Sequence, residues 1–126
     1  MTTDTDLIEI EINTQYLQEQ SDPGKDRYAF AYTIDITNHG EETIKLVKRH
    51  WRITDDNDRV EEVIGEGVVG QQPEIPPGHS FQYTSGAIIG TQIGTMQGSY
   101  EMLAESGETF QAPIPAFLLA PPHAIH

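Results

Sequence analysis

The stretch Tyr28-Ala29-Phe30-Ala31-Tyr32-Thr33-Ile34-Asp35-Ile36 decides the fold of this chain. Its large aromatic and aliphatic side chains recur at every second position, which leaves one apolar face. Successive side chains of a β-strand point to opposite faces of the sheet, so a period of two indicates a strand. The stretch is therefore predicted to be a strand whose aromatic face lies in the core.

The same period of two recurs on both sides of this stretch, while no segment of ten or more residues has helical periodicity. Further strands are predicted at residues 8–18, 43–55, 59–64, 80–89, 95–104 and 108–119. Pro113 and Pro115 lack backbone donors, so the last strand is expected to lie at a sheet edge or to carry a bulge. About seven short strands separated by turns predict an all-β, antiparallel, immunoglobulin-like sandwich. Trp51 on the third strand and the absence of cysteine favour the fibronectin type III-like variety.

Size and composition limit the possible functions. The chain has 126 residues and no cysteine, so one domain over residues 7–126 is expected, preceded by a disordered tail over residues 1–6. The net charge of −13 repels nucleic acid and anionic lipid. The apolar runs fall far short of the ~20 residues that span a bilayer, and the N-terminus is unlike a signal peptide. A cytoplasmic protein with no membrane and no nucleic-acid partner is predicted.

The stretch Gly65-Glu66-Gly67-Val68-Val69-Gly70 has the spacing of a dinucleotide-binding motif. That motif binds pyrophosphate where it connects a strand to the N-terminus of a helix. Residues 71–78 contain two adjacent prolines and a glycine, which are incompatible with a helix there. Two interpretations stay open. Gly65, Gly67 and Gly70 could present backbone amides to a ligand, or they could only shape the backbone where the chain crosses between sheets.

Arg49, His50 and Trp51 form the second candidate site. On a strand Arg49 and Trp51 share one face, whereas His50 lies on the other. With Trp51 in the core, Arg49 is expected to reach an edge or to pair with an acid. Arg49 and His50 are therefore ligand-binding candidates together with the glycine loop, and a core tryptophan flanked by solvated charges is the alternative.

Neither a metal site nor an active site is predicted. The five histidines are scattered, and the acidic turn at residues 55–58 lacks the glycine and distal glutamate of a calcium loop. Glu61 and Glu62 are adjacent on a strand and point apart, which disfavours a carboxylate pair. Ser85 lacks the G-x-S-x-G context of a nucleophile. No cofactor, no metal and no enzymatic activity are expected, and a phosphoanhydride hydrolase is the weakest hypothesis.

A family resemblance extends from about residue 8 to residue 123. It is carried by the phrases at residues 13–17, 20–23, 30–32, 49–51, 60–63, 65–73, 83–86, 94–100 and 113–117. These phrases resemble the bacterial ApaG family.

The resemblance implies a fibronectin type III-like sandwich with no established enzymatic activity and a genetic link to cobalt tolerance and magnesium efflux. It also implies a binding role, because ApaG-like domains stand beside F-box or polymerase-interaction regions in eukaryotes. A non-catalytic interaction module with a protein partner is therefore predicted, and a homodimer is considered. The alternative is a small-ligand sensor or carrier for a phosphate-bearing metabolite or a divalent cation.

Overall fold

A computed structural model of the protein describes residues 7–124, and these form two antiparallel sheets packed face to face. The strands are β1 (Ile8–Tyr16), β2 (Tyr28–Asn38), β3 (Ile44–Asp55), β4 (Val60–Glu66), β5 (Glu74–Ile75), β6 (Ser80–Ile89), β7 (Gly94–Ala104) and β8 (Thr109–Leu119). Three single-turn 3-10 helices lie at Gln18–Gln20, Pro23–Lys25 and Pro122–Ala124. The predicted all-β antiparallel sandwich is confirmed.

The order of the strands determines which edges stay unpaired. One sheet has the order β1-β2-β6, and the other has the order β4-β3-β7-β8. The two-residue strand β5 pairs with β3 beyond the end of β4, on the same side of β3. Within residues 7–124, β6 and β4 therefore each end a sheet.

Residues 7–124 form eight strands where about seven were predicted. The extra strand, β5, lies between the predicted strands at residues 59–64 and 80–89, where the sequence predicts no strand. Ile75 is 1% exposed and pairs with Ile44, and the amide of Leu46 donates to the carbonyl of Pro73. Two residues are too few to show a period, so the pattern could not predict β5.

Aromatic side chains fill the centre of the core. The indole of Trp51 is 2% exposed and meets the rings of Tyr32, Tyr100 and Phe117 at centroid distances of 5.5, 6.3 and 5.8 Å, all edge to face. Aromatic pairs prefer such tilted arrangements because the positive ring edge faces the negative ring face. The prediction of a buried tryptophan on the third strand is confirmed.

A β-bulge at Val47 changes the face of the sheet on which the preceding side chains of β3 lie. The pairing with β7 shifts between Leu46 and Lys48, so one extra residue is inserted on β3. Strict alternation along β3 would place Leu46 on the same face as His50, but Leu46 is fully buried on the Trp51 side of the strand. Alternation fails here because the bulge reverses which face each side chain of β3 occupies, and no turn residue in the sequence marks the bulge.

The prediction for the two prolines of β8 is confirmed. β8 is an edge strand of its sheet, and its pairing with β7 shifts between Met96 and Gly98. Three steps along β8, from Ile114 to Phe117, lie opposite two steps along β7, from Met96 to Gly98. The extra residue places the bulge around Pro115, where a missing backbone donor is tolerated.

Asn38 at the end of β2 joins three segments. Its Nδ2 donates to the carbonyls of Glu42 and Ile75 at 2.7 and 2.9 Å, and its Oδ1 accepts from the amide of Gly40. It is 1% exposed, and its backbone carbonyl accepts from the amide of Gly78. A buried amide with every group bonded fixes the segment that crosses between the sheets.

Candidate functional site

A groove of about 710 Å³ separates the edge strands β4 and β6. Its lining residues come from both sheets and from the segment after β1: Leu17, Gln20, Arg27, Ala29, Phe30, Tyr32, Arg49, Trp51, Ile53, Glu61, Val63, Ser85, Gly86, Ala87, Ile88 and Met96. Most of these side chains are apolar. The sandwich therefore has an apolar opening along one side.

A smaller cavity of about 180 Å³ continues the groove at one end. Tyr32, Arg49, Trp51 and Ser85 line both spaces. The cavity is completed by Val68, Val69, Gly70 and Tyr83. The groove therefore leads from its apolar floor to Arg49 and the tip of the glycine segment.

The segment between Gly67 and His79 closes the sandwich beyond this cavity. Val68 and Ile75 are 0% and 1% exposed and belong to the hydrophobic core. The amide of Leu46 donates to Pro73 O and the amide of Gly78 donates to Asn38 O, so the segment is bonded to both sheets. The side between β4 and β6 is thus open along one part of its length and sealed along the rest.

Arg49 lies where the open part meets the sealed part. Its Nη1 donates to the carbonyls of Glu66 and Gly67, both at 3.0 Å. Arg49 therefore reaches the end of the edge strand β4, which is one of its two expected positions, and no carboxylate pairs with it within residues 7–124. Burial raises the pKa of the Tyr83 hydroxyl, and the nearby charge of Arg49 opposes that rise.

The three glycines of the motif have different structural roles. A Cβ on Gly65 would lie 2.8 Å from Cζ, Nη1 and Nη2 of Arg49, so only glycine leaves room for the guanidinium there. Gly67 has a φ of 60°, and a Cβ on it would lie 2.0 Å from the carbonyl oxygen of Gln71. Gly70 has a φ of 79° with nothing within 4 Å of an added Cβ. Two of the glycines thus permit close approaches and one permits a turn.

The last three residues of the motif fold with Gln71 into a tight hairpin turn. The amides and carbonyls of Val68 and Gln71 bond to each other at 2.8 and 2.9 Å, and Gly67 N–H donates to Val47 O. Val69 and Gly70 occupy the two turn positions with φ of 44° and 79°. Positive φ at both central positions is the signature of the type I′ hairpin turn. There is no helix at this point, as predicted.

Val69 is held in a strained conformation. A β-branched residue in the left-handed region is a rare outlier, and each such residue costs roughly 1–3 kcal/mol. Its side chain is 51% exposed and lines the small cavity. Asparagine is the residue that usually precedes glycine in this turn, so an apolar side chain is kept here against the backbone preference.

The structure brings only part of the predicted site together. Arg49 and Gly70 line the cavity, while Gly65 and Gly67 support the guanidinium and the turn. His50 lies on the opposite face of β3, where its Nε2 is 3.7 Å from Oε1 of Glu62. The alternation along β3 separates His50 from Arg49, as the sequence predicted.

Asp55 of the acidic turn and two of the histidines have hydrogen-bond partners outside the cavity. Oδ1 of Asp55 accepts from the amides of Asn57 and Arg59, so this carboxylate stabilises its own turn. Nε2 of His39 is hydrogen-bonded to Oε1 of Glu9 at 2.6 Å, and Nε2 of His123 is hydrogen-bonded to Nε2 of Gln92 at 2.9 Å. No group of three or more potential metal ligands occurs among residues 7–124.

Sequence reasoning missed a buried tyrosine pair beside the cavity. The hydroxyls of Tyr83 on β6 and Tyr100 on β7 are hydrogen-bonded to each other and so connect the two sheets. Burial raises the pKa of both hydroxyls, so both stay protonated. Both residues have inward phases in their strands, but no sequence pattern shows which tyrosines meet across a core.

The chain is similar to known proteins over most of its length. The ApaG domain profile matches residues 18–104. "Protein ApaG" of Thiobacillus denitrificans is 57% identical over 119 residues, and that of Dechloromonas aromatica is 58% identical, each match covering 94% of both chains.

Two solved structures have the same fold. One is a structural-genomics X-ray structure with a TM-score of 0.93 and 48% identity, covering 98% of this chain and 94% of that one. The other is the putative ApaA protein of Bordetella pertussis, with a TM-score of 0.89 and 50% identity, covering 91% of this chain and 94% of that one. In the part of the chain that the structure describes, no helix is long and apolar enough to cross a membrane.

Proposed function

This chain belongs to the ApaG family, and from that premise we propose that it is a non-catalytic binding module that holds a protein partner in the groove between β4 and β6. The observation that carries the proposal is an apolar groove bordered by two edge strands. Edge strands present unpaired backbone groups, and an added strand from a partner can pair with them.

The apolar residues around the groove support a protein partner. Val63 faces the groove from β4, and Ile88 on β6 is 51% exposed. Exposed apolar side chains next to an unpaired edge promote association unless a partner covers them. A partner strand would pair with the edge through its backbone while alternate side chains enter the groove.

The small-ligand alternative is favoured by one observation, the Arg49 guanidinium in a cavity of about 180 Å³. A phosphate-bearing metabolite would bind there as an anion. Against the glycine-loop form of this alternative, the amides of Gly67, Val68 and Gln71 already donate to carbonyls of the chain. Calorimetry with pyrophosphate, nucleotides, Mg²⁺ and Co²⁺ separates the alternatives, because the interaction module predicts no heat from any of them.

Other properties, predicted from the sequence or implied by the resemblance, stay predictions. They are the fibronectin type III-like subtype, the cytoplasmic location, the link to cobalt tolerance and magnesium efflux, and a homodimer. A homodimer through the groove would require two chains of net charge −13 to meet, which long-range repulsion disfavours. A different protein is therefore the proposed occupant.

Site-specific photo-crosslinking in cells tests the proposal. A photoreactive residue replaces Val63, which faces the groove, and in a matched control it replaces Ile64, which is 72% exposed on the other face of the same strand. A discrete adduct with another protein from position 63, absent from position 64, supports the proposal. Identical adducts from both positions, an adduct with a second copy of the chain, or no adduct from position 63 contradict it.

A further inference from the structure

Resting on the proposed function, we infer that the closed end of the groove binds the C-terminal carboxylate of an extended partner segment, with Arg49 as the anchor. The small cavity lies between the apolar groove and the sealed segment 67–79, and Arg49 lines both spaces. An occupant that enters along the groove has to end or turn away at this point.

The guanidinium of Arg49 is held in place by hydrogen bonds from one of its three nitrogens. Nη1 donates to the carbonyls of Glu66 and Gly67, which takes both of its hydrogens. Nε and Nη2 have no acceptor in the described range 7–124. These two nitrogens form one of the edges through which arginine binds a carboxylate with two parallel hydrogen bonds. Because Gly65 carries no side chain, the guanidinium can lie against its backbone.

The charges around the groove favour a singly charged anion. The lining includes Arg27 and Arg49 but one acidic residue, Glu61, and neither arginine has a carboxylate partner in residues 7–124. The groove is therefore locally cationic in a chain whose net charge is −13. That surrounding field repels a multiply charged phosphate more strongly than a single carboxylate.

The direction of the strands determines how the partner segment would run. β6 begins at Ser80 beside the sealed end and runs towards Ile89 at the open end. A segment whose C-terminus reaches Arg49 therefore runs opposite to β6. Antiparallel pairing is the slightly more stable arrangement per residue, so the polarity agrees with a terminus at the closed end.

The hairpin turn offers further donors at the same place. Val69 and Gly70 line the cavity, and their amides have no acceptor among residues 7–124. In a type I′ turn the two central amides point away from the hydrogen bonds that close the turn. Backbone amides next to a cation are a common means of holding a terminal carboxylate.

A paired peptide selection tests the inference. The purified chain is presented with a random hexapeptide library whose members end in a free carboxylate, and with the same library ending in an amide. The expected result is enrichment of apolar sequences from the carboxylate library alone. Enrichment of internal aspartate or glutamate from the amide library would assign the site to a side-chain carboxylate and overturn the inference. Enrichment from neither library would also overturn it.

Protein variants identify the anchor. Arg49→Lys keeps the charge but loses the two-nitrogen edge, so the affinity for an enriched carboxylate peptide should fall by about tenfold. Arg52→Lys, on the outward face of the same strand, is the matched control and should leave the affinity unchanged. Circular dichroism verifies the fold of each variant. Equal affinities for Arg49→Lys and Arg52→Lys would contradict the inference.

The selection also separates this inference from the proposed function. Amide and carboxylate peptides that bind equally well, and that both lose binding in Val63→Glu, would leave the interaction module intact and reject the terminal anchor. Displacement of an enriched peptide by millimolar inorganic phosphate or pyrophosphate would contradict the carboxylate and support the small-ligand alternative.

Discussion

The side of the sandwich between β4 and β6 is sealed over one part of its length and open over the other. The two parts differ in how completely their polar side chains are hydrogen-bonded within the chain. In the sealed part, Asn38 uses its side-chain oxygen and both side-chain hydrogens within the chain. Where the open part meets the sealed part, Nε and Nη2 of Arg49 have no acceptor within residues 7–124. Polar groups that are fully bonded internally stabilise the fold, whereas a positioned but incompletely bonded cation is available to a partner.

The largest expected effect is in the sealed part. Asn38→Asp replaces a donor with a carboxylate that faces the carbonyls of Glu42 and Ile75, so the free energy of unfolding should fall by about 3 kcal/mol. Asn57→Asp makes the same chemical change at an exposed turn position and should change it by less than about 0.5 kcal/mol. Urea denaturation measures both variants. Equal effects would show that Asn38 does not hold the sealed part.

The next effect tests the tyrosine pair at the border of the two parts. Tyr100→Phe leaves the Tyr83 hydroxyl buried without its partner and should cost about 1.5 kcal/mol, and Tyr83→Phe should cost a similar amount. The double variant should cost much less than the sum, because no unpaired hydroxyl remains. A double-mutant cycle measures the coupling. Additive effects would mean that the hydroxyl pair contributes nothing to holding the sheets together.

A smaller effect of opposite sign is expected at the closed end of the groove. Val69→Asn places a residue that tolerates positive φ in the type I′ turn, so the protein should become more stable by about 1 kcal/mol. The same change removes an apolar side chain from the cavity wall and should weaken peptide binding. Thermal denaturation and a binding titration measure the two effects. A variant that is less stable than the original chain would contradict the account of strain at Val69.

The smallest effect is expected on the outer face of β1, remote from both parts. The hydrogen bond from His39 lowers the pKa of Glu9, and the bond to Glu9 raises the pKa of Glu11. The stabilisation from Glu9 is present above its unfolded pKa and lost as the pH falls. Glu11 contributes in the opposite sense, since its contribution is present at low pH and lost as the pH rises through its folded pKa.

Glu11→Gln should therefore make the melting temperature rise more steeply between pH 3 and pH 7 than it does in the original chain. His39→Gln removes the partner of Glu9 and should flatten the same profile. Melting curves across this range provide the measurement, and profiles that stay unchanged in both variants would show that these carboxylates titrate independently.

The sequence predicted the parts of the molecule that depend on local alternation. A period of two predicts which side chains of residues 28–36 face the core, and it also predicts the burial of Trp51. The prolines of β8 indicate the bulge in that strand. The bulge at Val47 could not be predicted because no turn residue accompanies it. Asn38 ends a strand like an ordinary turn residue, and its burial depends on Ile75, which is distant in the sequence.

The sequence predicted features of single residues in the candidate site but not how those residues are arranged in space. The alternation along β3 correctly separates Arg49 from His50, and the glycine spacing correctly marks an unusual backbone. That Gly65 makes room for Arg49 depends on the register between β3 and β4. The groove depends on how the edges of two sheets face each other, which the pattern within any one strand does not contain.

The most direct test of the groove is the nuclear magnetic resonance spectrum of the ¹⁵N-labelled chain with and without a saturating carboxylate-ended peptide. Trp51 is the single tryptophan, so its indole N–H gives one identifiable signal beside Arg49. We expect this indole signal and the β6 amide signals to shift, and the amide signals of Asn38 and Gly78 to stay unchanged. Shifts confined to the outer faces or to the sealed part, with the indole signal unmoved, would contradict this expectation.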